Sequence, residues 1–212
     1  MFDGSWRDPV ERLVDPVGVR LHRVGVSANG LTVLGVVGAI ATAAAVASGR
    51  LGLGAVLLAV AAIPDLLDGA VAKAAGPTTK RGAFFDSTAD RVTDTLVVGG
   101  VIWLFVADER GLVTMVPVGV MAAAWLVSYQ RAKAESLGFD AKGGLMERAE
   151  RVVFLAAGLA IPRALVPVLV ALLVLTLVTA AQRFAKIWRQ ASTQPTPGGS
   201  LGATSYGDDS AR

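Results

Sequence analysis

Apolar runs long enough to cross a bilayer as helices recur along the chain, separated by short polar or glycine-containing breaks. The runs are Ser27–Ser48, Leu51–Ala75, Gly82–Ala107, Leu112–Glu135, Leu145–Ile161 and Arg163–Trp188, the fifth shorter than the rest. They predict six transmembrane helices. Ser27 or Asn29 is placed to cap the first. Gly49-Arg50, Asp108-Glu109-Arg110-Gly111 and the polar loop 136–144 read as turns. The third run has 26 residues. As a helix of about 39 Å it protrudes beyond the hydrocarbon core. Pro117 is a candidate kink in the fourth.

The two ends follow other patterns. In residues 1–26, Val10, Leu13, Val17 and Leu21 recur at spacings of three and four among Arg7, Arg12, Arg20 and Arg23. That predicts an N-terminal interfacial amphipathic helix, its basic residues near headgroups and Pro16 kinking or interrupting it; an ordinary flexible arm is the alternative. Residues 191–212 turn to Ser, Thr, Gly and Pro and predict a disordered tail. The organisation expected is therefore all-α integral membrane: an N-terminal segment 1–26, a six-helix domain 27–190 and a tail 191–212.

Charge orients this arrangement. Of the 20 Lys and Arg, 17 fall at the N-terminus, the second and fourth turns and the C-terminus, with adjoining helix ends. Only Arg50, Arg110 and Arg163 lie on the other side. The positive-inside rule then puts both termini in the cytoplasm of a multi-pass protein of the cell membrane. Zero cysteines exclude a disulfide framework and a thiolate metal site, and the single histidine, His22, excludes a multi-histidine one. No nucleic-acid partner is expected.

Within this apolar background, Asp65–Asp90 stands apart. Asp65 and Asp68 are three apart, and Asp86 and Asp90 four apart, so each pair shares a helix face. The segment Gly-Pro-Thr-Thr-Lys-Arg-Gly between them makes a turn, so the two helices are antiparallel neighbours whose acidic faces can meet. Facing carboxylates repel unless cations sit between them, and two divalent ions with carboxylate and water ligands, Mg²⁺ or Mn²⁺, solve this. Gly69 leaves the backbone beside Asp68 open, with Ala72 keeping that face low; helix packing through small residues explains both as well. Asp94, one turn beyond Asp90, either extends the site or pairs with Arg91 or another cation.

The positions Asp65, Asp68, Gly69, Ala72, Lys73, Gly82, Asp86 and Asp90 spell Asp-x2-Asp-Gly-x2-Ala-Lys-x8-Gly-x3-Asp-x3-Asp. This resembles the signature of the CDP-alcohol phosphatidyltransferases, integral membrane enzymes of phospholipid synthesis. The family usually has Arg where this chain has Lys73, which keeps the charge and loses the bidentate fork. The resemblance implies that Asp65, Asp68, Asp86 and Asp90 hold two metal ions, and that Asp90 is also the general base. It implies that Gly69, Ala72, Lys73 and Gly82 receive the cytidine diphosphate, and that the polar pair Asn29 and Thr32 lies near the same nucleotide.

A second stretch, Ser128–Arg151, gathers Arg131, Lys133, Lys142, Arg148 and Arg151 beside two helix ends, with Arg183 entering from the last helix. Positive-inside topology alone accounts for cations, though not for their interleaving with Glu135, Glu147 and Glu150 or for the Gly143-Gly144 turn. The stretch resembles a subgroup of the same family, the actinobacterial phosphatidylinositol phosphate synthases. By that resemblance Lys133, Arg148, Arg151 and Arg183, with Arg131, bind the phosphate of the acceptor. The function implied is transfer of a phosphatidyl group from CDP-diacylglycerol to inositol phosphate, by a homodimer among membrane lipids. The same chemistry with glycerol 3-phosphate is the nearest alternative. A divalent metal transporter is more distant, since it predicts acids near mid-membrane and internal repeats, and no repeat is visible.

Overall fold

In a computed structural model of the chain, residues 7–76, 79–141 and 143–193 are described, with side chains from Val14 onwards. Among the described residues every element is helical. The α-helices are α1 (Arg7–Arg23), α2 (Ala28–Ala47), α3 (Leu51–Ala75), α4 (Lys80–Ala107), α5 (Met115–Ser136), α6 (Arg148–Ala160) and α7 (Leu165–Thr193), with single 3₁₀ turns leading into α5 and α7. Ser27 and Thr79 cap α2 and α4, their hydroxyls accepting from the N–H groups of Gly30 and Gly82. Ser27 rather than Asn29 is thus the cap.

Four segments are long and apolar enough to cross a membrane: Ala28–Ala47, Leu51–Ala75, Gly111–Ser136 and Pro162–Thr193. Helix α4 has 28 residues, but its N-terminal part, as far as Asp94, carries Lys80, Arg81, Asp86, Asp90, Arg91 and Asp94. Helix α6 has 13 residues. That is about 20 Å of helix, less than the hydrocarbon core.

The expected fifth helix begins three residues late, at Arg148 rather than Leu145, and the reason lies in α7. Thr179, Arg183, Lys186 and Gln190 form one stripe along that helix and bind the preceding loop. Met146 N–H donates to Thr179 Oγ1 at 2.9 Å, Arg183 Nη2 donates to Gly143 O at 3.1 Å and Lys186 Nζ to Asp140 Oδ2 at 2.7 Å. The Gln190 amide bridges the Asp140 backbone, accepting from its N–H at 2.9 Å and donating to its carbonyl at 2.7 Å. Gly144, at φ 146°, lies against Thr179, where an added Cβ would meet Cγ2 at 2.5 Å.

Two proline expectations change. Helix α1 runs through Pro16 without interruption. Pro117 falls in the first turn of α5, where a missing N–H costs no hydrogen bond, so no kink is required. The amphipathic face expected at Val10 and Leu13, most of the 191–212 tail and Lys142 lie outside the described side chains; residues 191–193 continue α7.

Helix α2 packs against α3 and α4, α3 against α1 and α6, α5 against α4 and α7, and α6 against α7. Small residues permit the closest approaches. A Cβ on Gly38 would stand 2.6 Å from Ala61 Cβ, and one on Gly100 2.7 Å from the Ala43 carbonyl oxygen. Val46, Val101, Phe105, Leu159, Leu169 and Leu172 fill the interior. Val33, Val37 and Ile40 on α2, Val56, Val60 and Ile63 on α3, and Val170 and Val174 on α7 are exposed, the outward apolar faces of membrane helices.

Candidate active site

The carboxylates come from two antiparallel helices joined by the turn after Ala75. In α3, Pro64 removes an N–H immediately before Asp65 and leaves the Val60 carbonyl without its helical donor. Asp65 and Asp68 follow on one face. In α4, Asp86, Asp90 and Asp94 follow at intervals of four. Asp65, Asp68 and Asp86 converge: one carboxylate oxygen from each lies within 4.8 Å of the other two. Three partly buried carboxylates at this separation suit a hard divalent cation, which takes oxygen ligands. Thr32 Oγ1 lies 3.1 Å from Asp68 Oδ2, and also 3.1 Å from the Ala28 carbonyl. Its single proton serves one of the two at a time.

Asp90 faces cations instead. Its Oδ1 is 3.0 Å from Arg148 Nη1 and its Oδ2 3.4 Å from Arg91 Nη2. Arg148, the first residue of α6, reaches across to both acidic helices. Its Nη1 also donates to Asp65 Oδ2, and its Nη2 to Thr93 Oγ1 at 3.0 Å. Its Nε stands 3.4 Å from Asp94 Oδ1 in an ion-pair contact rather than an aligned hydrogen bond. One turn along α6, Arg151 Nη2 donates to Asp94 Oδ2 at 3.0 Å. The close ion pairs of Asp94 are thus to cations of α6, while that of Arg91 is to Asp90.

These groups open on a cavity of about 700 Å³. Asp65, Asp90, Asp94, Arg131, Arg148 and Arg151 line it, together with the apolar Leu58, Val97, Val98, Met121 and Leu172. Thr32, Gly69 and Lys73 also line it. A Cβ on Gly69 would meet nothing within 4 Å, so the helix backbone there is open to a ligand. Lys73 Nζ is 3.8 Å from Asp15 Oδ1 of α1, both side chains being exposed. Helix α1 itself seats Gly18 against Ala70, where a Cβ would come within 2.6 Å of the backbone.

Asn29 and Lys133 are exposed, and Gly82 sits in the first turn of α4 with Ala72 half-buried on α3. Arg131 lines the cavity while its Nε donates to Glu135 Oε1 at 2.8 Å. Arg183 is buried, with Nη1 donating to the Val127 carbonyl at 2.8 Å and Nη2 to that of Gly143. Nothing in the sequence marks Thr93. The four-residue rhythm of Asp86, Asp90 and Asp94 does mark Asp94.

The chain matches a family model described as CDP-alcohol phosphatidyltransferase over residues 26–188. An archaetidylinositol phosphate synthase from Methanothermobacter thermautotrophicus is 38% identical over 156 residues, covering 73% of this chain and 75% of the relative. A phosphatidylinositol phosphate synthase from Mycobacterium marinum is 30% identical over 187 residues, covering 84% and 80%. Among solved structures, phosphatidylinositol phosphate synthase from Mycobacterium tuberculosis with CDP-DAG bound superposes with a TM-score of 0.78 at 28% identity, over 87% of this chain and 98% of that one. The same enzyme in complex with manganese and citrate superposes with a TM-score of 0.77, over 86% and 93%.

Proposed function

The chain belongs to the CDP-alcohol phosphatidyltransferase family, and from that membership we propose that it transfers a phosphatidyl group from CDP-diacylglycerol to a hydroxyl of inositol phosphate, releasing CMP. It is a membrane protein and a transferase. The observation that carries the acceptor assignment is the convergence of Arg148 and Arg151 on the carboxylate cluster, in a cavity that apolar side chains of α3, α4, α5 and α7 also line. A lipid-linked pyrophosphate needs metal-binding carboxylates and an apolar path for its chains. A phosphorylated acceptor needs cations besides. Both meet here. The relatives' names agree on inositol phosphate and differ in the lipid part.

In this reading Asp65, Asp68, Asp86 and Asp90 hold two ions, Mg²⁺ or Mn²⁺. Such ions, when bound, supply charge stabilisation to the pyrophosphate during in-line displacement. Gly69 leaves room for the nucleotide against α3, and Ala72, Lys73 and Gly82 complete that side with Asn29 and Thr32. Arg148 and Arg151, with Arg131, Lys133 and Arg183, take the acceptor phosphate through charge-assisted hydrogen bonds. Asp90 accepts the proton of the attacking hydroxyl as the new P–O bond forms and the bond to CMP breaks. Helices α4 and α6 complete six crossings, α1 lies at the interface, and both termini and the site face the cytoplasm of the cell membrane in a homodimer. Residues 27–190 form the enzyme domain, and the tail from 191 onwards is dispensable.

The test is CMP release by the purified protein from CDP-diacylglycerol. Turnover stops with chelator, returns with Mg²⁺ or Mn²⁺, and requires inositol phosphate in preference to inositol or glycerol 3-phosphate. Undiminished turnover in chelator rejects the metal chemistry, and a preference for glycerol 3-phosphate reassigns the acceptor.

A further inference from the structure

We propose that Asp94 is a positioning residue for the acceptor: its carboxylate, held between Arg148 and Arg151, makes the two guanidinium groups one phosphate-binding pair beside the metal-binding carboxylates. This rests on the reaction assigned above and adds a residue outside the eight-position signature.

Arg148 and Arg151 are three apart on α6, so their charges share a face and repel. Asp65, Asp90 and Thr93 also hold Arg148, but Asp94 is the carboxylate that reaches both arginines. Asp94 comes from another helix and offers one oxygen to each, Oδ1 at 3.4 Å from Arg148 Nε and Oδ2 at 3.0 Å from Arg151 Nη2. All three side chains are sheltered: Asp94 is 18% exposed, Arg148 21% and Arg151 9%. The charges are therefore only weakly screened. Thr93 fixes Arg148 Nη2 from the same turn of α4. Asp94 also lies one turn from Asp90, so the arginine pair is placed in register with the carboxylate that takes the acceptor's proton.

A plain inter-helix ion pair would tie α4 to α6 away from any ligand. Here Asp94, Arg148 and Arg151 all line the cavity. Guanidinium groups already fixed in place lose less conformational freedom when a phosphate arrives, and the effect falls on acceptor binding alone.

The experiment uses the full-length protein in lipid nanodiscs and the isosteric, uncharged variant Asp94→Asn. We measure kcat and both KM values by CMP release, and Mn²⁺ binding by electron paramagnetic resonance without substrates. The expected result is an inositol phosphate KM raised about tenfold, with the donor KM and the Mn²⁺ affinity within about twofold of wild type. The double variant Asp94→Asn/Arg151→Gln should have an acceptor KM within about twofold of Arg151→Gln alone, because one residue acts through the other.

An unchanged acceptor KM, or a parallel loss of donor KM or Mn²⁺ affinity, overturns the proposal. If Asp94→Asn yields no folded protein, Asp94→Glu carries the test. Its extra methylene displaces both arginines, so the acceptor KM rises with the donor KM unmoved, and no rise overturns the proposal. Wild type that uses inositol as well as inositol phosphate rejects the acceptor assignment and this inference together. A normal wild-type preference with an indifferent Asp94→Asn rejects this inference alone.

Discussion

Arg148 shows how much the site asks of one side chain. Its guanidinium touches Asp65, Asp90, Thr93 and Asp94, and so joins the start of α6 to both acidic helices. A planar fork with five donors can serve several acceptors at fixed angles, whereas an ammonium is a point charge. Arg148→Lys should keep the fold and lower kcat/KM for the acceptor by about tenfold or more, read from steady-state CMP release. Wild-type kinetics in that variant would show that only the charge matters. The neighbouring contrast is Arg183, whose two terminal nitrogens each meet a backbone carbonyl.

At the scale of elements, the acidic pair of helices is positioned by close packing through small residues. Gly100 of α4 faces the backbone of α2, where a Cβ would stand 2.7 Å from the Ala43 carbonyl oxygen, while Gly99 beside it meets nothing within 4 Å. Gly100→Val should therefore force α2 and α4 apart and destabilise by about 1–3 kcal/mol or more, as overpacking does. Gly99→Val should leave Tm nearly unmoved. Thermal unfolding of the two variants in one detergent checks the pair, and equal Tm values would show that α2 and α4 can separate without penalty. Helix α6 is the counterexample to reading elements from hydropathy. Its apolar pattern begins at Leu145, yet residues 145–147 stay outside the helix because the stripe of α7 binds this loop.

At the scale of the molecule, orientation decides whether soluble substrates reach the site. The chain has no cysteine, so single introduced thiols report sidedness without background. Leu112 precedes α5 and is 88% exposed, and Ser136 ends that helix and is also exposed. In intact cells a membrane-impermeant maleimide should label Leu112→Cys. It should label Ser136→Cys only after permeabilisation. The reverse pattern would invert the cytoplasmic placement drawn from the distribution of Lys and Arg.

The helical class and the register of Asp65, Asp68, Asp86 and Asp90 were legible in the sequence, because hydropathy, turn residues and helical spacing are local properties of a chain. The family was legible for the same reason, its signature being confined to 26 consecutive residues. The proximity of Arg148 to Asp65, 83 positions away, followed only as an expectation carried over from the family. Tertiary structure alone decided that Asp65, Asp68 and Asp86 converge while Asp90 turns to arginines, that Asp94 is held by α6, and that Arg183 binds backbone. Hydropathy ranks residues by their cost in an apolar medium, and helices that pack on lipid or on one another read almost alike on that scale. Which polar groups meet depends on where the helices cross, and that is set by small residues such as Gly38 and Gly100, whose contacts lie far away in the chain.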